Sequence, residues 1–197
     1  REQVERAMEE LGLSNVVLDP NEILRGLDTD EGRTRVIVEE AVNHLSTGSD
    51  IIVSLSSLRS ECADAANGIG AASYAHNASS AQYLEDSRRI TQYLGRLCKD
   101  MLSACSIAGL VLTGGDTSLA VCKCLGAVGV RLVDEVVPGV PFGRLVGGPH
   151  SGMMIVTKAG SFGSIDTLVR SIKHLRQAVK GEAVEVVAYG QQLQEKD

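Results

Sequence analysis

The sequence predicts an α/β fold: an open, largely parallel sheet with helices on both faces, a Rossmann-like three-layer arrangement, carrying a Gly/Pro-rich ribbon insertion. Three observations predict it. Segments of helical and strand pattern alternate from the start of the chain, which implies parallel pairing. The stretch Leu110-Val111-Leu112-Thr113-Gly114-Gly115-Asp116-Thr117 reads as a buried strand that turns through two glycines into a helix. A second strand, glycine loop and helix follow over residues 153–179, about one βαβ length downstream. Two such turns at the C-terminal ends of parallel strands face one crevice, the default ligand position of an open α/β sheet.

The elements follow in order. Residues 1–11 place Val4, Ala7, Met8 and Leu11 on one helical face, with Gly12 as the stop. Residues 15–18 form a buried strand, which Asp19-Pro20 ends; Pro20 suits the first turn of a short helix reaching Leu24. A strand normally precedes the first helix of such a sheet, so the sequence is expected to be cut from a longer chain. Residues 28–30 are a capping cluster for a helix that runs to about Ser46–Gly48. Residues 50–55 are the next strand. Residues 56–80, rich in Ser, Ala, Asn and Gly, read as a mobile loop or excursion, and His76 within it reads as a solvated side chain. Residues 82–105 form the longest helix, with Leu84, Ile90, Leu94, Leu97, Met101 and Ala104 as its apolar face. After the strand at 109–112, Asp116 or Thr117 can cap a helix over 118–126. Residues 128–137 are extended. Pro138-Gly139 breaks them, and residues 143–152 complete a hairpin or twisted ribbon. A strand at 153–157 leads into Lys158-Ala159-Gly160-Ser161-Phe162-Gly163, which opens a helix over 165–179 with Ile165, Leu168, Ile172, Leu175 and Val179 on its apolar face. The tail has one apolar run, residues 183–189, readable as an edge strand or as a packed arm.

The 197 residues suffice for one domain with a full core, and 44% hydrophobic against 22% charged residues is a globular balance. A net charge of −6 argues against a nucleic-acid polymer as partner. No apolar run reaches membrane-spanning length. The five cysteines include no C-x-x-C pair, which argues against structural zinc and for a reduced cytoplasmic protein with buried thiols. With two Phe, four Tyr and no Trp, the core rests on Val, Leu, Ile and Ala.

The chemistry concentrates in the two turns. Gly114 and Gly115 let a backbone approach a ligand, and a helix N-terminus beyond them suits a phosphate. The alternative is a tight turn without a ligand. Asp116 has three candidate roles: helix cap, ribose or Mg²⁺-water partner, and general base. Lys158 can reach a phosphate beside Gly160, or reach solvent from the strand end. His150, inside a glycine-rich segment, is either a ligand contact or an exposed turn residue. No residue set points to a resident metal.

Four motifs in order carry a resemblance: Thr113-Gly114-Gly115-Asp116-Thr117, Pro138-Gly139-Val140-Pro141-Phe142-Gly143, Gly147-Gly148-Pro149-His150, and Thr157-Lys158-Ala159-Gly160-Ser161-Phe162-Gly163. Together they resemble the C-terminal, nucleotide-binding domain of the four-carbon acid sugar kinases, most fully over residues 84–178. The resemblance implies one nucleotide-binding domain over residues 1–197, with ATP and Mg²⁺ as cofactors and nucleotide contacts at Gly114, Gly115, Asp116, Thr117, Lys158 and Gly160. Ser161 stands where that family often has glycine. It also implies γ-phosphoryl transfer to a hydroxyl of a sugar acid of threonate, erythronate or 3-oxo-tetronate type, by positioning and charge neutralisation. An N-terminal substrate domain is the expected partner, a homodimer stays open, and no catalytic base can be named here. Without that domain, and without the glycine-serine strand that precedes the first helix in the family, the stretch alone is not expected to turn over. A non-catalytic nucleotide-binding or sensing module of the same fold is the alternative. A nicotinamide dehydrogenase is disfavoured, because no G-x-G-x-x-G follows the first strand.

Overall fold

A computed structural model describes residues 2–26, 29–56 and 80–194. The expected loop at 56–80, with His76, lies outside the described residues except for its two ends. The elements are α1 (Glu2–Leu11), β1 (Ser14–Leu18), α2 (Pro20–Leu24), α3 (Glu31–Ser46), β2 (Ile51–Leu55), α4 (Ser80–Ala104), β3 (Gly109–Thr113), α5 (Gly115–Cys124), β4 (Gly129–Val137), β5 (Val140–Val146), β6 (Met154–Lys158) and α6 (Thr167–Gln194). The α/β class is as the sequence predicts. The described strands form two sheets: β1 pairs with β2 in parallel, and a four-stranded sheet runs in the order β3-β6-β5-β4. In the second sheet β3 and β6 are parallel, and the hairpin β4–β5 adds two antiparallel neighbours.

The chain divides into two compact units. The first holds residues 1–11, 107–118 and 125–197, and the second holds residues 12–106 and 119–124. In the second unit, capping chemistry sets the helix starts. Asp19 Oδ1 accepts from Asn21 N–H at 2.8 Å, with Pro20 at the first helical position, where a missing N–H costs nothing. Asp30 Oδ1 accepts from Arg33 N–H at 3.0 Å. Ile90, Tyr93, Leu97 and Met101 are buried along α4, while Leu84 is 68% exposed and Ala104 is also exposed. The buried apolar face of α4 is therefore shorter than its periodicity indicates, running from Ile90 to Leu102.

In the first unit, Val140, Phe142, Met154, Val156 and Leu175 form one buried cluster where α6 lies on the sheet. Leu175 belongs to it and Val179 packs against it, Leu168 and Ile172 are buried as expected, and Ile165 precedes the helix and is half exposed. The helix continues through residues 183–189, so the apolar run there is not an edge strand. An uninterrupted helix adds one hydrogen bond per residue, which outweighs the β-propensity of its valines.

Gly143 sits in the middle of the hairpin, opposite Leu132 on one side and Ile155 on the other. A Cβ there would meet the carbonyl oxygen of Arg131 and lie 2.9 Å from Val130 Cγ1. Gly143→Ala is expected to destabilise the protein by about 2 kcal/mol or more, since backbone cannot yield as a side chain would. The denaturant midpoint measures it, and an unchanged midpoint would show that the strands move apart freely.

Candidate functional site

The site grows from one backbone fact. β3 and β6 are parallel neighbours in register, with Thr113 opposite Lys158, so both chains leave the sheet at the same end. Gly114 N–H donates to Lys158 C=O at 2.8 Å, extending the pairing one residue beyond β3. The two glycine turns therefore lie side by side, as the sequence implies.

Gly114 turns the chain with φ +99°, a conformation that a side chain resists. Its carbonyl accepts from Ser118 N–H at 2.9 Å and from Ser118 Oγ at 2.8 Å. The helix thus begins at Gly115, three residues earlier than expected, and neither Asp116 nor Thr117 is its cap. Asp116 is an exposed first-turn carboxylate, well placed against the helix dipole. By position, the amides of Gly115, Asp116 and Thr117 are among the first of the helix, which have no partner inside it.

Gly115 and Gly160 differ from Gly114 in a decisive respect. Neither has a φ in the left-handed region, and a Cβ on either would meet nothing within 4 Å. The fold does not require glycine at either position. Each leaves open space directly beside a turn at the end of a parallel strand.

Of the two alternatives expected for Lys158, the second does not hold. It does not reach solvent: it is 3% exposed. Its ammonium folds back, donating to Gly160 C=O at 2.7 Å, Ala159 C=O at 2.9 Å and Thr113 Oγ1 at 3.4 Å. The cation thus ties the end of β3 to the second glycine loop, and burial lowers its pKa. All three partners are neutral oxygens, so its charge is solvated by dipoles and adds positive potential beside the turns.

The hairpin tip closes the same end of the sheet. Phe142 lies opposite Val156, which brings Pro138-Gly139 alongside the end of β6. A Cβ on Gly139 would lie 3.0 Å from the Phe162 ring, so the tip packs against the second loop. Gly147-Gly148-Pro149-His150 does not join them. It precedes β6 and lies at the opposite end of that strand. His150 is half-buried in a turn, where its carbonyl accepts from Met153 N–H at 3.1 Å. Three of the four motifs therefore converge, and the fourth shapes the far end of the ribbon.

One residue escaped the sequence reading. Gln3 of α1 donates from Nε2 to the carbonyls of Ser164, Phe162 and Gly163, at 2.8, 3.2 and 3.4 Å. Its separation of about 160 residues from the loop leaves no local signal.

In the other unit, a hollow of about 480 Å³ is lined by Glu22, Arg25, Gly26, Thr29, Asp30 and Arg33. Its rim carries an ion pair, Arg33 Nη2 to Glu22 Oε2 at 3.1 Å, and its one glycine turn, at Gly26, follows the helix α2 rather than a strand.

A family model described as the nucleotide-binding C-terminal domain matches residues 1–168. The chain belongs to this family. Among its curated relatives, the D-threonate kinase of Bordetella bronchiseptica is 45% identical over 92 residues, which span 47% of this chain and 23% of that protein. The D-erythronate kinase of Heliobacterium modesticaldum is 35% identical over 100 residues, 50% of this chain and 23% of that protein. These names bear out the resemblance to four-carbon acid sugar kinases. The chain spans under a quarter of the length of these two relatives. A crystal structure described as a domain of unknown function from Bordetella bronchiseptica, with bound citrate and as a domain-swapped dimer, superposes with a TM-score of 0.65 at 28% identity, covering 89% of this chain and 38% of that one. The described helices include none long and apolar enough to cross a membrane. The four described thiols, Cys98, Cys105, Cys122 and Cys124, are half-buried rather than fully buried and form no disulfide.

Proposed function

We propose that residues 1–197 form the ATP-binding domain of a kinase that phosphorylates a four-carbon acid sugar of threonate, erythronate or 3-oxo-tetronate type. One observation carries this reading: adjacent parallel strands deliver two turns, each with a glycine, Gly115 or Gly160, that the fold itself does not need. Room kept free beside backbone amides suits a phosphate chain, because amides can then approach its oxygens closely. Gly114 sets the turn, the first-turn amides of Gly115, Asp116 and Thr117 face the phosphates, and Lys158 holds the Gly160 loop while adding positive charge. Asp116 is the one carboxylate in the two turns and is exposed, which fits a water-mediated hold on Mg²⁺. When bound, Mg²⁺ neutralises charge on the phosphate oxygens. What the chain's own residues contribute is orientation of the nucleotide and a fixed electrostatic setting, which requires no reorganisation during transfer.

The relatives' remaining length supports an acid-sugar site and a general base in a further domain. The relative described as a domain-swapped dimer supports a homodimer, and the unpaired thiols support a reducing, cytoplasmic setting.

Calorimetric titration of the protein at its full natural length with Mg-ATP, Mg-ADP and NAD⁺ tests this reading. Adenine nucleotide is expected to bind and NAD⁺ is not. Turnover is then expected with one of the four-carbon acids. Nucleotide binding with no turnover on any of them would favour a sensing module, and no binding at all would remove the site assignment.

A further inference from the structure

The loop of residues 159–164 is held from its carbonyl side by two nitrogen donors that come from opposite ends of the sequence. Lys158 Nζ takes the carbonyls of Ala159 and Gly160. Gln3 Nε2 takes those of Phe162, Gly163 and Ser164. Since all three partners of Gln3 are acceptors, the amide must turn its nitrogen end toward them. Its position is not left to a free side chain. Helix α1 is fixed to the same unit by Arg6 Nε to Asp166 Oδ1 at 3.1 Å and by Lys173 Nζ to Glu10 Oε1 at 2.6 Å, while Arg6 also pairs with Glu10 at 2.9 Å.

A trans peptide points its C=O and the following N–H in opposite directions. Each of the five carbonyls turned toward Lys158 or Gln3 therefore turns the following amide, that of residue 160, 161, 163, 164 or 165, away from that donor. Orientation of those amides is what a phosphate needs from a glycine loop. On this geometry we propose that Gln3 is a positioning residue for the nucleotide: from α1 it fixes the 162–164 part of the loop with its amide edge facing the ligand. The proposal rests on the nucleotide reading above.

The test exploits the donor. Gln3→Glu keeps the shape of the side chain but sets an acceptor against three acceptors. Gln3→Lys keeps a donor. Gln3→Met keeps the length with neither, and guards against an effect of added charge on folding. Each variant is compared with wild type, at full natural length, by backbone NMR order parameters of residues 160–165 and by Mg-ADP calorimetry. For Gln3→Glu, the order parameters are expected to fall from the rigid range of about 0.85 to below about 0.6, and Mg-ADP to bind about tenfold more weakly, the scale of one lost hydrogen bond. Gln3→Met is expected to show the same changes to a smaller degree, and Gln3→Lys to remain within about threefold of wild type in affinity. Unchanged order parameters in Gln3→Glu and Gln3→Met would overturn the clamp. Lower order parameters with unchanged Mg-ADP affinity would overturn its bearing on the nucleotide. Equal weakening in all three variants would mark a packing role and overturn the donor argument. A wild-type protein that binds no Mg-ADP, with order parameters still responding to Gln3→Glu, would overturn the nucleotide reading and this proposal with it, while leaving the clamp as a structural contact.

Discussion

Gly115→Glu is expected to abolish Mg-ADP binding while leaving the protein as stable as wild type or slightly more so. The two halves of this result have separate causes. A Cβ at residue 115 meets nothing within 4 Å, and the residue has no left-handed φ, so a side chain can be added there without backbone strain. It lies in the first turn of α5, where replacing glycine gains about 0.5–1 kcal/mol of helix propensity and a carboxylate gains about 0.3–1 kcal/mol from the helix dipole. The space it fills is the space assigned to phosphate. A carboxylate roughly 4 Å from a phosphate charge costs about 4 kcal/mol at an effective dielectric of about 20, close to a thousandfold in affinity. Thermal melting and calorimetry on the same sample decide the matter. Undiminished binding would move the phosphate elsewhere. Lost binding accompanied by a collapsed melting temperature would mean that Gly115 serves the fold after all.

Local signals made much of this chain legible. Asp19-Pro20 and Asp30 announce helix starts by capping chemistry that needs no distant partner, and the structure places α2 and α3 accordingly. The run before Gly114 is apolar and short, and it is a strand. The start of α5 was misplaced because two consecutive glycines read as turn. Only Gly114 turns; Gly115 is already helical, since the first helical bonds close onto the Gly114 carbonyl. The tail was misplaced because its valines and alanines fit a strand as well as a helix, and a helix already under way decides between them. At the site, sequence brought Gly114, Gly115, Asp116, Thr117, Lys158 and Gly160 to neighbouring turns, which the parallel pairing of β3 and β6 realises. It did not foresee that Lys158 bends onto its own loop, because a lysine's partners depend on where carbonyls point. Nor did it find Gln3, whose partners lie at the far end of the chain.

Lys158→Met is the second large effect, and its pH dependence identifies the cause. The substitution leaves the Gly160 carbonyl without the lysine donor and the Ala159 carbonyl with Phe162 N–H alone, a loss of about 1.5–3 kcal/mol for a hydrogen bond to a charged group. It also removes a buried charge whose desolvation already lowers the lysine pKa. These contributions to stability oppose each other, so the melting temperature is expected to move little. Nucleotide affinity receives no such compensation: both the loop geometry and the positive charge are lost, and binding of Mg-ADP is expected to fall by about a hundredfold or more. The sign of the pH effect follows from the lowered pKa. Between the folded value and the ordinary 10.5, the unfolded chain binds more protons than the folded one, so wild-type stability gains from this group as pH rises through that window. Affinity for an anionic nucleotide moves the other way, because deprotonation removes the charge and one donor. In Lys158→Met both dependences vanish, and the difference between wild type and variant isolates them from the titration of tyrosines and thiols. Measurement of Kd and melting temperature for both proteins from neutral pH to about 10.5 therefore carries the decision. If the two proteins keep parallel pH profiles, the ammonium plays no part in binding, and the glycine turns hold the phosphates by backbone alone.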